Sequence, residues 1–122
     1  MSTIKTTTLS TQGGSTVPVD TVVNGTAKAW VNFNGTGTVA IRRAFNVSSI
    51  TDNSSGNFTA NFTAAMVDSN FVTLATAGDA ANAGSKGMFG VYDNTATSSS
   101  FVLTNYQNTI QDKDTIMVAI FS

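Results

Sequence analysis

From residue 26 onward, apolar and polar residues alternate with period two along most of the chain, the pattern of strands with one buried face. In residues 27–33 the apolar positions are Ala27, Ala29, Val31 and Phe33, with Lys28 and Asn32 opposite and Trp30 between them. Asn34-Gly35 follows, a pair that favours a tight hairpin turn because both residues tolerate positive φ, and Gly37 adds slack. Residues 38–42 resume as a strand with Val39 and Ile41 inward, ending in solvent at Arg42-Arg43. Residues 45–50 predict a third strand, closed by the turn-forming run Asp52-Asn53-Ser54-Ser55-Gly56. Residues 57–64 alternate most cleanly, with Phe58, Ala60, Phe62 and Ala64 on one face and Asn57, Thr59, Asn61 and Thr63 on the other.

Asp68-Ser69-Asn70 turns the chain into a strand over 71–76. Residues 77–87, with Gly78, Gly84 and Gly87, read as the longest loop; the Ala-rich stretch 75–83 has room for one helical turn at most, given Gly78 and Asn82. A short strand at 88–92 is followed by a loop over 93–100, a strand at 101–105 and a closing strand at 115–121. The last is apolar on both faces, which predicts a strand that is central or covered on both sides. About eight short strands with turn signals every eight to twelve residues specify an all-β domain, a β-sandwich or jelly-roll-like fold over residues 26–122. Phe33, Ile41, Phe45, Phe58, Phe62, Ile116, Val118 and Ile120 form its expected core.

Residues 1–25 differ from the body. They are rich in Thr, Ser, Gly and Gln, Gly13-Gly14 interrupts regular structure, and Pro18 favours an extended neighbour at Val17. The expectation is an extended N-terminal arm that docks onto another protein through Ile4, Leu9 and Val17; the plain alternative is a disordered leader.

Composition sharpens this picture. Thr, Ser and Asn make up more than a third of the 122 residues, Glu is absent, and Leu occurs only at positions 9, 74 and 103, so strands and turns are favoured over helices. Charged residues amount to 11%, less than half the usual share, and the net charge is −1. So neutral a surface suits a protein packed against copies of itself and offers no attraction to nucleic acid or an anionic membrane. The longest apolar run, residues 116–121, is too short to span a bilayer, and residues 1–15 lack the apolar segment of a signal peptide, which points to synthesis in a cytoplasm without membrane insertion.

With neither His nor Cys, Ser–His and Cys–His nucleophiles and nearly all zinc or iron sites are excluded. The seven Asp residues fall almost entirely in turn segments, where they hydrogen-bond their own backbone, so no catalytic pair of carboxylates stands out. The run from Asp52 to Asn57 has Thr63 where a calcium loop requires a bidentate acid, and Asp112-Lys113-Asp114 suits a hairpin end better than a cation site. Six Asn-x-Ser/Thr sequons reflect composition in a chain without a secretory signal. The expectation is a non-enzymatic chain with no catalytic residue, cofactor or metal. Trp30, a large aromatic on a polar strand face, and the basic pair Arg42 and Arg43 are its candidate contacts with a subunit or ligand, Trp30 by packing or by stacking on a sugar.

Residues 27–42, Ala-Lys-Ala-Trp-Val-Asn-Phe-Asn-Gly-Thr-Gly-Thr-Val-Ala-Ile-Arg, resemble a signature of virion proteins from phages of aquatic bacteria, cyanophages above all, and look like the form found in their tail-fibre proteins. The likeness continues through residues 45–52, Gly56, Phe58, Asn61-Phe62 and Asp68, with Met1–Lys5, Val22, Asn24 and Gly25 also similar. It covers most of residues 1–74 and departs at Arg43-Ala44, where an acidic or small pair is usual, and at Phe58 and Phe71, where Tyr is usual. The resemblance implies a phage structural protein, commonly a homotrimer with a β-sandwich knob. Its partners would be itself, other virion proteins and a host surface glycan, and it would be assembled into the virion in the bacterial cytoplasm. A tail fibre or receptor-binding component is the first expectation, a head decoration (cement) protein the alternative.

Overall fold

A computed structural model describes the backbone of residues 1–122 and the side chains of all but Ala83 and Gly84. The chain begins with a small hairpin of β1 (Thr8–Ser10) and β2 (Thr16–Pro18) and a short helix, α1 (Val19–Gly25). The body follows as β3 (Ala29–Asn34), β4 (Ala40–Phe45), β5 (Val47–Ser54), β6 (Asn57–Phe62), β7 (Val72–Asp79), β8 (Asn82–Thr95), β9 (Ser98–Thr104) and β10 (Thr115–Phe121). These eight strands pair in the order β4-β3-β10-β7-β8-β9-β6-β5, every pair antiparallel. The fold is all-β, a barrel-like sandwich, as the period-two pattern requires.

Two continuous segments fold the sheet over on itself. The first part of β8 pairs with β7 and the rest with β9, so one long strand serves both layers. At the opposite seam β4 and β5 are the outermost strands, yet only Asn46 separates them in the chain. Asn46 takes φ 54°, a left-handed conformation that Asn tolerates better than most residues. Its amide donates to the carbonyls of Lys28 and Ala64, both at 3.1 Å, and its Oδ1 accepts from the Ala64 N–H at 2.7 Å. Asn46→Ala therefore loses about 2 kcal/mol, and Asn46→Gly, which keeps the backbone conformation but not the hydrogen bonds, loses about 1 kcal/mol. Urea midpoints that ranked the Gly variant below the Ala variant would contradict this division.

The core lies between the layers. Alternation places Ala29, Val31 and Phe33 of β3, Phe58, Ala60 and Phe62 of β6, and Ile116, Val118 and Ile120 of β10 inside. Phe33 meets Phe58 edge-on with ring centroids 5.4 Å apart, and Phe101 packs against Phe89 at 4.8 Å. Burying five or six such rings is the main source of stability in a chain of this size. β10 occupies a central position between β3 and β7, as its apolar sequence predicts.

Several local expectations are corrected. Ile41 and Phe45 are exposed rather than buried. A bulge where Arg42 is extra between the Asn32–Arg43 and Phe33–Ile41 pairs breaks the simple alternation along β4, an edge strand. Asn34-Gly35 does not form a tight turn; residues 35–39 make a longer loop, and Gly35 is used for close packing, since a Cβ there would lie 2.8 Å from the Phe58 ring. The cleanest alternating strand ends at Phe62, leaving Ala64 exposed.

Residues 77–87 and 93–100 are not loops. Both are hairpins with two-residue turns, at 80–81 and 96–97. Gly78 and Gly87 of the first allow close strand approach: a Cβ on Gly87 would sit 2.9 Å from that of Ala77. Residues 1–25 are not extended throughout, because Gly13-Gly14 turns β1 back onto β2 and Pro18 precedes a helix, a position where its fixed φ is compatible with helix entry.

Candidate functional site

The two layers turn different outer faces to solvent. Across β5, β6, β9 and β8 the outer side chains form a hydrogen-bonded polar net. Asn61 donates to Ser49 and Thr51, Asn53 to Asn57 and Thr59, Thr59 bonds Ser100, and the Tyr92 hydroxyl donates to Asn57 at 2.8 Å. This face satisfies itself.

The face across β4, β3, β10 and β7 is apolar instead. Register brings Phe45, Trp30, Ala119 and Leu74 into one row over four neighbouring strands. The next row is Arg43, Asn32, Met117 and Thr76, and on the other side Phe121 pairs with Val72. Leu74 is 57% exposed, Phe45 54%, Met117 42% and Trp30 38%. Between the side chains of Trp30, Leu74 and Met117 runs an open groove of about 450 Å³. Scattered exposed apolar residues are ordinary, but this row is contiguous from the edge strand β4 across three neighbouring strands. The outer apolar face of β10 is thus left open by this chain: the strand is central in the sheet and not covered on both sides.

Trp30 lies at the centre of that face. Arg42 and Arg43 lie on its β4 edge, Arg42 donating to the Asn32 Oδ1 at 3.3 Å, and neither guanidinium has an ion pair among the described residues. The structure thus brings the three candidate contact residues together on one surface. Sequence reasoning missed Phe45, Leu74, Val72 and Met117 as members of an exposed face; for Met117 the available signal is the apolar character of both faces of β10. The arm residues divide. Leu9 and Val17 pair across the β1–β2 hairpin, whereas Ile4, 90% exposed, lies apart in the preceding segment.

One polar cluster is buried inside. Lys113 is 2% exposed, and its Nζ donates to Asp79 Oδ2 at 3.1 Å, to Ser85 Oγ and to Gln111 Oε1 at 2.6 Å. The Ser85 hydroxyl donates to Asp79 Oδ2, and the Asp114 N–H donates to Asp79 Oδ1 at 3.2 Å. The Ser85 and Lys113 hydrogen bonds hold the Asp79 carboxyl below the usual carboxylate range, against the opposing effect of its partial burial. A serine beside a lysine suggests a nucleophile, but an activated serine needs a base to take its proton. Here the acceptor of that proton is a weakly basic carboxylate already engaged by Lys113. The cluster works as a clamp between the β7–β8 hairpin and the segment before β10.

No group of three or more His, Cys, Asp or Glu able to hold a metal occurs among the described residues, and no described helix is long and apolar enough to cross a membrane. No protein-family model, curated protein or solved structure matches this chain.

Proposed function

We propose that this chain is a non-enzymatic structural protein of a phage particle, working as a homotrimer whose subunits and particle neighbours meet through the open apolar face, with residues 1–25 as the attachment arm. The observation that carries the reading is the contrast between the two outer faces: one closes its own hydrogen bonds, the other leaves Phe45, Trp30, Leu74 and Met117 uncovered. The low charge of the chain and its resemblance to virion proteins support the same reading. On it the protein is assembled in the host cytoplasm, contacts other virion proteins, inserts in no membrane and uses no nucleic acid or cofactor.

The resemblance favours a tail fibre or receptor-binding component that meets a host glycan. A head decoration role gains support from the short turns at 80–81 and 96–97, because a receptor-binding tip would need longer loops to reach such a glycan. Copy number on purified particles separates the two. Tens of copies on the tail are expected for a fibre; hundreds spread over the shell replace that assignment with decoration, and absence from particles ends the virion reading altogether.

A further inference from the structure

The helix of the arm and the outer sheet face share a property: each carries apolar side chains that are only partly covered within one copy. Helix α1 buries no residue. Val19, Val22 and Val23 fall at i, i+3 and i+4, one stripe of that helix, with Asp20 flanking it. Val22 is 40% exposed and Val23 52%. The groove of Trp30, Leu74 and Met117 presents matching apolar surface, Arg43 pairs in register with Asn32 of its lining, and Asp20 is the sole acid of the arm.

The helix is held away from its own groove. Only residues 26–28 separate α1 from β3. Within that link the Thr26 hydroxyl donates to the Val22 carbonyl and the Lys28 ammonium to that of Val23, while Val23 and Asn24 line a recess with Asn46, Met66 and Ser122 at the end of the sandwich. To lie on the outer face of its own sheet the helix must break these contacts and reverse the chain immediately before Trp30.

We infer that the groove of each copy is filled by α1 of a second copy, with Val19, Val22 and Val23 against Trp30, Leu74 and Met117, and Asp20 against Arg43. This is the helix-in-groove mode of recognition, and it deepens the oligomeric reading above, on which it rests. Donation of the arm from each copy to the next is a head-to-tail contact, the kind that forms a ring such as a trimer when the rotation between copies closes.

Trp30 is the single tryptophan of the chain, so its fluorescence reports this one surface. The full-length protein should self-associate with rising concentration in light scattering while Trp30 emission moves to shorter wavelength and becomes shielded from acrylamide. The double variant Val22→Asp/Val23→Asp, at positions that are 40% and 52% exposed in the folded copy, should keep the far-UV spectrum, weaken association about tenfold or more and leave Trp30 accessible. Asp20→Arg and Arg43→Asp should each weaken association, and the two changes combined in one chain should restore it. An oligomer whose Trp30 stays accessible overturns the arm-in-groove contact while leaving the oligomeric reading intact. A persistent monomer overturns both. Shielding of Trp30 that survives the double valine variant assigns the groove to another segment and likewise overturns the inference.

Discussion

Asp79→Asn is expected to destabilise the fold by about 2–3 kcal/mol, at or just below the lower end of the range for breaking a fully buried ion pair, since Asp79 itself keeps some solvent contact. The loss comes chiefly from Lys113. Its ammonium stays buried with only the neutral oxygens of Ser85 and Gln111 and an asparagine amide to accept from it. Lys113→Met, which removes the charge and keeps an unbranched apolar chain, should cost less, because the carboxylate left behind is the wetter partner. The two substitutions together should cost less than the sum of the single ones, a coupling that urea denaturation of the four proteins measures directly. Strict additivity would mean that the pair is not an energetic unit.

The same clamp sets an acid limit. The Asp79 carboxyl is more acidic in the folded chain than in the unfolded one, where it titrates near its ordinary value of about 3.9. Its contribution is therefore complete above about pH 4 and is lost as pH falls through the lower, folded value. The stability gap between the natural protein and Asp79→Asn should accordingly narrow below about pH 4. A gap that stayed constant down to the acid transition would remove Asp79 from the explanation.

Gly56→Ala should be about as damaging, at about 3 kcal/mol. Gly56 has φ +64°, and a Cβ there would stand 2.8 Å from the Gln111 carbonyl oxygen and 2.9 Å from its nitrogen. Neither strand end is free to withdraw. Gly56 receives the Leu103 N–H on its carbonyl at 2.7 Å and donates its own N–H to Asp112, while the Gln111 N–H bonds the Leu103 carbonyl at 3.2 Å. Gly56 thus ties the β5–β6 turn to β9 and to the segment before β10. A thermal midpoint for Gly56→Ala within about 2 °C of the natural protein would show that this corner yields at little cost.

The parts of the fold legible in the sequence are those where one residue's neighbours decide its fate. β6 and β10 follow from alternation and from a continuous apolar run, and the structure places Phe58, Phe62, Ile116, Val118 and Ile120 inside. The misread parts depend on long-range pairing. Glycines at 78 and 87 signal a loop by local chemistry, yet serve a narrow strand-to-strand approach that exists only once β7 and β8 are paired. Phe45 reads as core because nothing local reveals the bulge at Arg42 or the edge position of β4. Trp30 stands out in the sequence by its contrast with Lys28 and Asn32, but its companions on the face come from strands 44 and 89 residues further along and are aligned only by register.

β3 and β10 run antiparallel, and the Lys28 N–H meets the Ile120 carbonyl at 2.7 Å, so the point where the arm joins the body lies beside the far end of the last strand. The direction of a mechanical load then decides how the body resists it. A pull between the arm and the end of β10 opens the β3–β10 ladder one hydrogen bond at a time, like a zipper. A pull between the arm and a body gripped by its outer face runs along β3, which is bonded to β4 on one side and β10 on the other, and loads both ladders in shear together. The knob is therefore a strong coupling for force that enters through the arm and leaves through the sheet, and a weak link for force carried from one end of the chain to the other.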